Sequence, residues 1–193
     1  MTRRDSTAKV LETDRLLLRR LSVDDDAFIL ELLNDPSWLR LIGDKGVRTL
    51  EDARDYILRG PVAMYEREGF GLYLTLRKSD GARIGLCGLI KRDSLDDVDI
   101  GFAFLPKYRA QGYAQESAAA VMTYGRNILG LTRIVAITSP DNDATIRLLE
   151  KLGMRFQKAV VLAGDADKVR LYVLESSPTT RADRARQRRT GRA

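Results

Sequence analysis

The chain has 193 residues, 44% of them hydrophobic and 31% charged, a composition typical of a single folded domain. It contains no histidine and one cysteine, Cys87, which excludes an internal disulfide and argues against zinc sites and Ser-His or Cys-His nucleophile systems. Arg181–Ala193 holds six arginines and one aspartate, so this short segment supplies most of the net charge of +6. We therefore expect a nearly neutral folded domain, which weakens a nucleic-acid-binding interpretation of it.

The two ends of the chain differ from its middle. Residues 1–10 are polar and form a predicted N-terminal extension, 11–175 form the domain, and 176–193 form a basic tail that we expect to be disordered. The alternative for the tail is a weak RNA or ribosome contact through Arg181–Arg192. We expect a cytoplasmic protein, because the sequence shows neither a signal-peptide core nor an apolar stretch of about 18 residues.

The first half of the chain alternates strand and helix signals. Leu16–Arg20 is an aliphatic run typical of a strand, and a capping pattern at Ser22 predicts a helix over about 24–34 that Pro36 ends. A second capping pattern at Thr49 predicts a helix that is kinked at Gly60-Pro61 and continues to residue 68. Trp38 and Tyr65 are aromatic residues of this part of the chain, for which a place in the core is expected.

The middle of the chain predicts antiparallel strands. Phe70–Arg77 and Arg83–Lys91 are rich in β formers and are joined through Asp80-Gly81, a favoured tight-turn pair. Cys87 lies in this apolar run, where a small buried side chain is expected rather than a nucleophile. After a turn at 95–97, Val98–Leu105 predicts another strand, which Pro106 closes.

The segment Tyr108–Ala114 lies between that strand and a strongly helical run, Gln115–Ile128. A turn that leads into a helix leaves backbone N–H groups unpaired at the positive end of the helix dipole, which favours phosphate oxygens. Gly112 lacks a Cβ and lets the backbone approach a ligand or adopt a positive φ. The segment is therefore a candidate anion cradle; a plain connecting loop is the alternative.

The last third predicts one more strand, Arg133–Ser139, followed by helix-capping residues at 140–142. An apolar stripe then predicts a helix that ends at Gly153. Two final runs, Met154–Ala163 and Lys168–Glu175, predict a hairpin across Gly164-Asp165.

The pattern Arg109-x-x-Gly112-x-Ala114 resembles the coenzyme A pyrophosphate loop, (Arg/Gln)-x-x-Gly-x-(Gly/Ala), of the GNAT superfamily of N-acetyltransferases. Leu11–Arg19 and Glu150–Met154 are similar to the RimJ/RimL branch, the ribosomal-protein N-terminal acetyltransferases. The resemblance spans roughly 11–175. It implies an α/β fold of the α+β type, with a mixed, bent central sheet of about seven strands flanked by about four helices.

The resemblance also implies the reaction and its site. Acetyl-coenzyme A is the implied cosubstrate, without a metal, and the acceptor is a primary amine on a protein N-terminus or a small molecule. The resemblance is also compatible with a homodimer. For Trp38 and Tyr65 the alternative to the core, a place in the wall of an acceptor cleft, is implied only by this resemblance. The residues that match the family's cofactor contacts are Ala103, Phe104, Arg109, Ala110, Gln111, Gly112, Tyr113, Ala114 and Asn142. Asn142 has helix capping as its alternative role.

Two side chains are candidates for the chemistry. Asp99 lies where relatives often have glutamate and can take the acceptor's proton through water; the alternative is a strand aspartate facing solvent. Thr145 matches the serine that the RimL branch offers to the leaving sulfur. Leu149 departs from the family, because many members carry a tyrosine acid there. That departure keeps open a second hypothesis, a noncatalytic acyl-coenzyme A binding module.

Overall fold

The fold is described from a computed structural model, over residues 8–161 and 168–175. Its single sheet has eight strands: β1 Lys9–Glu12, β2 Leu16–Arg20, β3 Leu72–Arg77, β4 Arg83–Ile90, β5 Val98–Phe104, β6 Arg133–Thr138, β7 Arg155–Val161 and β8 Lys168–Glu175. They lie in the order β1-β2-β3-β4-β5-β6-β8-β7. Neighbours are antiparallel except β5 and β6, which run parallel.

Six α-helices accompany the sheet: α1 Asp26–Leu33, α2 Pro36–Leu41, α3 Leu50–Ile57, α4 Ala63–Glu68, α5 Tyr113–Asn127 and α6 Asp143–Lys151. Helices α5 and α6 pack on one face of the sheet, where Val121 and Leu149 are fully buried. Helices α1 to α3 cover the other face, where Ile29 and Ile57 pack against strand residues such as Leu86. The two hydrophobic cores therefore lie on opposite sides of one sheet.

The α/β fold class is confirmed, with two differences in the count of elements. The eighth strand is β1, a four-residue edge strand that pairs antiparallel with β2 and begins inside the polar N-terminal stretch. The unexpected helix is α2. Pro36 ends one helix but also begins the next, because a proline at the first helical position loses no hydrogen bond, and the Asp35 side chain caps it by accepting from the Ser37 N–H at 3.1 Å.

Most local predictions in the described residues are confirmed. Thr49 forms a complete capping box with Asp52, and the Gly60-Pro61 kink is a π-helical turn over Leu58–Val62 that leads directly into α4. The Asp80-Gly81 hairpin joins β3 and β4, with Gly81 at φ +70°. Strands β7 and β8 pair as expected, whereas their turn at 164–165 and the tail from 176 lie outside the described residues.

Candidate active site at the divergence of two parallel strands

Strands β5 and β6 separate shortly after they meet. They pair only at Val98 with Ile134 and at Asp99 with Val135, while β5 continues to Phe104 alongside β4. Beyond Asp99, the backbone groups of β5 that face β6 are therefore not paired with another strand among the described residues. Helices α5 and α6 both begin at this end of the sheet, because α5 follows the carboxyl end of β5 and α6 follows that of β6, its parallel neighbour.

Alternation along β5 decides which backbone groups face the opening. The Ala103 carbonyl lies 2.5 Å from where a Cβ on Gly85 would stand, so it is directed at β4, and Leu105 N–H also bonds to β4 through the Ile84 carbonyl at 3.0 Å. The groups of Phe102 and Phe104 consequently point toward the opening. The predicted residues Ala103 and Phe104 both lie at this edge, but only Phe104 turns its backbone toward it.

The predicted cradle is an exposed turn with an unusual backbone. Ala110 has φ +58° and Gly112 has φ +82°, both in the left-handed region, and Gly112 caps the 15-residue helix α5. Arg109, Ala110, Gln111 and Gly112 are exposed, whereas Tyr113 is buried and Ala114 packs against the core. The turn therefore presents the free amides of a helix N-terminus to solvent, the geometry that suits phosphate oxygens.

The Arg109 side chain is occupied by protein contacts. Its Nε donates to the Phe104 carbonyl at 2.7 Å, and its Nη2 lies 2.9 Å from the Asp35 carboxylate. Arg109 thus connects the cradle to the end of β5 and to the first turn of α2. The Gln111 side chain similarly donates back to the Lys107 carbonyl at 2.9 Å. The groups of the turn that are left for a ligand are accordingly those of its backbone.

Asn142 and Thr145 lie in the first turn of α6. The Asn142 side-chain oxygen accepts from the Thr145 N–H at 3.2 Å, so the capping role expected as an alternative is present. The Asn142 amide nitrogen and the Thr145 hydroxyl have no hydrogen bond to the residues that the structure describes. Capping uses one end of the Asn142 amide and leaves a donor free.

Asp99 is 1% exposed, which rules out the solvent-facing alternative. Arg92, in the turn between β4 and β5, donates from Nε to Asp99 Oδ2 at 2.6 Å. Oδ1 has no hydrogen bond of ordinary geometry with the described part of the chain, although the Ile137 backbone amide lies nearby. Burial raises the pKa of this carboxyl to about 6, against the opposing influence of the Arg92 cation.

Several other candidates belong to the core. Trp38 and Tyr65 are each 6% exposed, and the Tyr65 hydroxyl accepts from Leu21 N–H at 3.2 Å and donates to the Leu72 carbonyl. These contacts support the core interpretation of both aromatics. Cys87 is fully buried, and burial raises the pKa of its thiol to about 12, as expected of a packing residue. Leu149 is also fully buried.

Three site residues had no signal in the local sequence. Arg92 precedes Asp99 by seven positions across a turn, and Asp35 reaches Arg109 from 74 residues away. Phe102 gains its orientation from strand register alone. Only the spatial arrangement brings these groups to the site.

In the ranges 8–161 and 168–175, no group of three or more Cys, Asp and Glu residues is arranged to hold a metal ion. Within the same ranges, no helix combines the length and the apolar character that crossing a membrane requires.

Comparison with known proteins agrees with this geometry. Residues 15–155 match the family model described as the acetyltransferase (GNAT) domain. The chain is 32% identical over 155 residues to the uncharacterized N-acetyltransferase YoaA of Bacillus subtilis, a match that covers 79% of this chain and 85% of YoaA.

Solved structures give the same picture. A GNAT-family acetyltransferase from Bacillus anthracis aligns with a TM-score of 0.72 at 26% identity, over 86% of this chain and 97% of its own. RimL, an alpha-N-protein acetyltransferase of a ribosomal protein, aligns with a TM-score of 0.74 at 18% identity, over 88% of this chain and 95% of its own, which shows a shared fold. The resemblance read from the Arg109–Ala114 pattern is confirmed: the chain belongs to the GNAT acetyltransferases.

Proposed function

We propose that this chain transfers the acetyl group of acetyl-coenzyme A directly to a primary amine. The observation that carries the proposal is the coincidence of two features at one end of the sheet: the divergence of β5 from β6 and the exposed left-handed turn before α5. An extended thioester arm fits between separated strands, and its pyrophosphate fits the free amides of the turn.

The residues present suit such a ligand. The backbone of Ala110–Tyr113 offers amides to phosphate oxygens without a competing side chain, since Gly112 has none and Tyr113 turns inward. The Phe104 N–H faces the opening and is available to an acyl or amide oxygen, whereas its carbonyl is held by Arg109. The free Asn142 amide nitrogen is a donor for a carbonyl of the pantetheine arm.

Acetyl-coenzyme A supplies a thioester. The amine attacks its carbonyl carbon, a C–N bond forms, and the C–S bond breaks to release coenzyme A. The attacking amine has to be neutral, and an α-amino group with a pKa of about 8 is partly so near pH 7. Asp99 is the group that we propose takes its proton, by way of water because the carboxylate is buried. Its Oδ1, which has no hydrogen bond of ordinary geometry with the described part of the chain, is the proposed accepting atom.

The leaving thiolate needs a proton or a hydrogen bond. Thr145 carries a hydroxyl in the first turn of α6, the helix that begins beside the opening, and we assign it this role. Leu149 has no proton to offer and is buried in the core, so a tyrosine acid at that position plays no part. The N-terminus of α6, at Asp143, is the positive end of the helix dipole, which favours the departing thiolate.

Two acceptor classes follow from this chemistry: a protein N-terminal amine and a small-molecule amine. The structural likeness to RimL supports the first class. The suggested RNA or ribosome contact involves Arg181–Arg192, which lies outside the described residues.

The test is release of free coenzyme A thiol from acetyl-coenzyme A over a panel of amines, including peptides with alanine or serine amino termini and small-molecule amines. The proposal expects acceptor-dependent thiol release together with an acetylated product seen by mass spectrometry. Cofactor binding without turnover on any acceptor above the hydrolysis background would instead favour a noncatalytic acyl-coenzyme A binding module.

A further inference from the structure

The turn between β1 and β2 is clamped to helix α5. Thr13 donates from Oγ1 to Glu116 Oε1 at 2.6 Å, and the backbone N–H of Arg15 donates to the same oxygen at 3.0 Å. Arg15 Nε also donates to Glu116 Oε2 at 2.7 Å. Both carboxylate oxygens of Glu116 are thus held by one short turn that is 101 residues away in the chain.

Arg15 extends beyond Glu116 to the cradle itself. Its Nη1 donates to the Gln111 carbonyl at 3.0 Å, and its guanidinium lies 4.6 Å from the centre of the Tyr113 ring. Its Nη2 stands 3.2 Å from where a Cβ on Gly112 would be. Arg15 therefore contacts the cradle from the β1–β2 side.

The contact with Gln111 has a geometric consequence for the next residue. The carbonyl of Gln111 and the N–H of Gly112 belong to one trans peptide group, in which they point in opposite directions. Because Arg15 holds that carbonyl on its own side, the Gly112 N–H is directed away from Arg15 and toward the outer side of the turn. Fixing one carbonyl thus aims one of the amides that a phosphate would use.

We propose that Thr13, Arg15 and Glu116 form a brace that positions the pyrophosphate-binding turn, with Arg15 as the positioning residue. The proposal rests on the proposed function and gives a role to the Thr13-x-Arg15 segment, which the transfer chemistry does not use. The brace lets the left-handed conformation at Ala110 persist in the free protein, so binding does not have to order the turn.

Two simpler explanations predict different results. A purely structural tether of the edge hairpin would change thermal stability without changing cofactor affinity. A purely electrostatic role would make Arg15→Lys harmless, because the charge is kept, and would make Glu116→Ala tighten cofactor binding, because an anion near the phosphates is removed. The brace predicts weaker binding in both variants, so the expected sign for Glu116→Ala is opposite.

A matched control is available on the same turn. Lys78 Nζ lies 2.7 Å from Glu12 Oε1 and donates to the Thr13 carbonyl at 3.1 Å, so it ties this turn to the end of β3. Among the described residues, the Lys78 side chain makes no hydrogen bond to the cradle. Lys78→Gln removes a hairpin tether and leaves the brace intact.

The experiment measures acetyl-coenzyme A dissociation constants by calorimetry, turnover at saturating cofactor, and melting temperature without ligand, in the wild type, Arg15→Lys, Glu116→Ala and Lys78→Gln. We expect a rise in the dissociation constant of at least fivefold in the first two variants, turnover at saturation within about twofold, and unchanged affinity in Lys78→Gln.

The outcomes separate cleanly. Wild-type affinity in Arg15→Lys, or tighter binding in Glu116→Ala, overturns the brace while the proposed function stands. If affinity falls equally in Lys78→Gln, hairpin tethering explains the effect and the brace is again wrong. A wild-type protein that does not bind acetyl-coenzyme A at all refutes the proposed function itself, which is a distinct result.

Discussion

Position 112 offers a charge test of the cradle with a closely matched control. Gly112 has φ +82°, and a Cβ placed there would lie 3.2 Å from Arg15 Nη2. We compare Gly112→Glu with Gly112→Gln, since these two side chains have nearly the same shape and impose the same backbone strain. Their difference isolates the effect of a negative charge at position 112, which repels the pyrophosphate and also competes with the Gln111 carbonyl for Arg15.

The magnitude can be estimated in two parts. A non-glycine residue in the left-handed region costs roughly 1–2 kcal/mol of folding free energy, which lowers the melting temperature of both variants by about 2–8 °C. Because the free and the bound protein share this cost, it largely cancels in the dissociation constant. The glutamate adds like-charge repulsion of between about 1 and 4 kcal/mol at contact range, the lower figure applying to an exposed turn. We therefore expect Gly112→Glu to bind acetyl-coenzyme A at least about fivefold more weakly than Gly112→Gln, equivalent to about 1 kcal/mol.

The assay is calorimetric titration with acetyl-coenzyme A at low and high salt, after melting curves without ligand have shown that both variants fold. The difference in affinity between the two variants should narrow at high salt, because screening weakens repulsion between exposed charges. If the glutamate and glutamine variants bind equally well at low salt, no phosphate lies near Gly112 and the cradle is refuted.

Three further outcomes follow from the site. In the wild type, kcat/KM for the acceptor should rise with pH through about 6 as Asp99 ionises, and Asp99→Asn should lose this pH dependence. The raised pKa also means that the free energy of unfolding falls as pH rises from about 4 to 6, by at most roughly 3 kcal/mol. Denaturant titrations should show that this decrease is missing in Asp99→Asn. Thr145→Ala should lower turnover while cofactor affinity stays within a few-fold, and unchanged single-turnover rates would remove its proposed role. Asp35→Asn keeps a good helix cap but loses the charge paired with Arg109, so the turn should be held less firmly and the dissociation constant of acetyl-coenzyme A should rise; unchanged affinity would contradict a role of this pair in holding the turn.

Local signals predicted those elements whose causes are local. The Asp80-Gly81 turn, the capping box at Thr49 and the left-handed end of α6 at Gly153 each depend on a few adjacent residues, and each is present. Helix α2 and strand β1 escaped prediction because each is too short for its periodicity to be read, with six and four residues. Their existence depends on packing against neighbours that are distant in sequence.

The candidate site divides in the same way. The turn at Tyr108–Ala114 could be predicted because its pattern lies within seven consecutive positions at the start of one helix, whereas its binding of an anion stays a prediction. The environment of Asp99 could not, because its burial depends on the register that places it at the last paired position of β5 and β6. The pairs Arg15 with Glu116 and Arg109 with Asp35 join residues 101 and 74 positions apart, and no local pattern encodes such a partner.

These two distant pairs explain why a turn with so few side-chain ligands can still be specific. Left-handed backbone at a residue other than glycine is costly and persists only where surrounding contacts fix it, as at Ala110. Arg109 holds the turn from the β5 side and Arg15 holds it from the β1–β2 side, each through a main-chain carbonyl. Because a carbonyl fixes the plane of its own peptide group, Arg15 acts on the direction of the Gly112 amide, whereas Arg109, which is itself part of the turn, ties the turn to the end of β5. On the brace proposal, then, a cationic side chain that is 96 positions from Gln111 aims a neutral backbone site, and that sequence distance makes the site a product of the whole sheet.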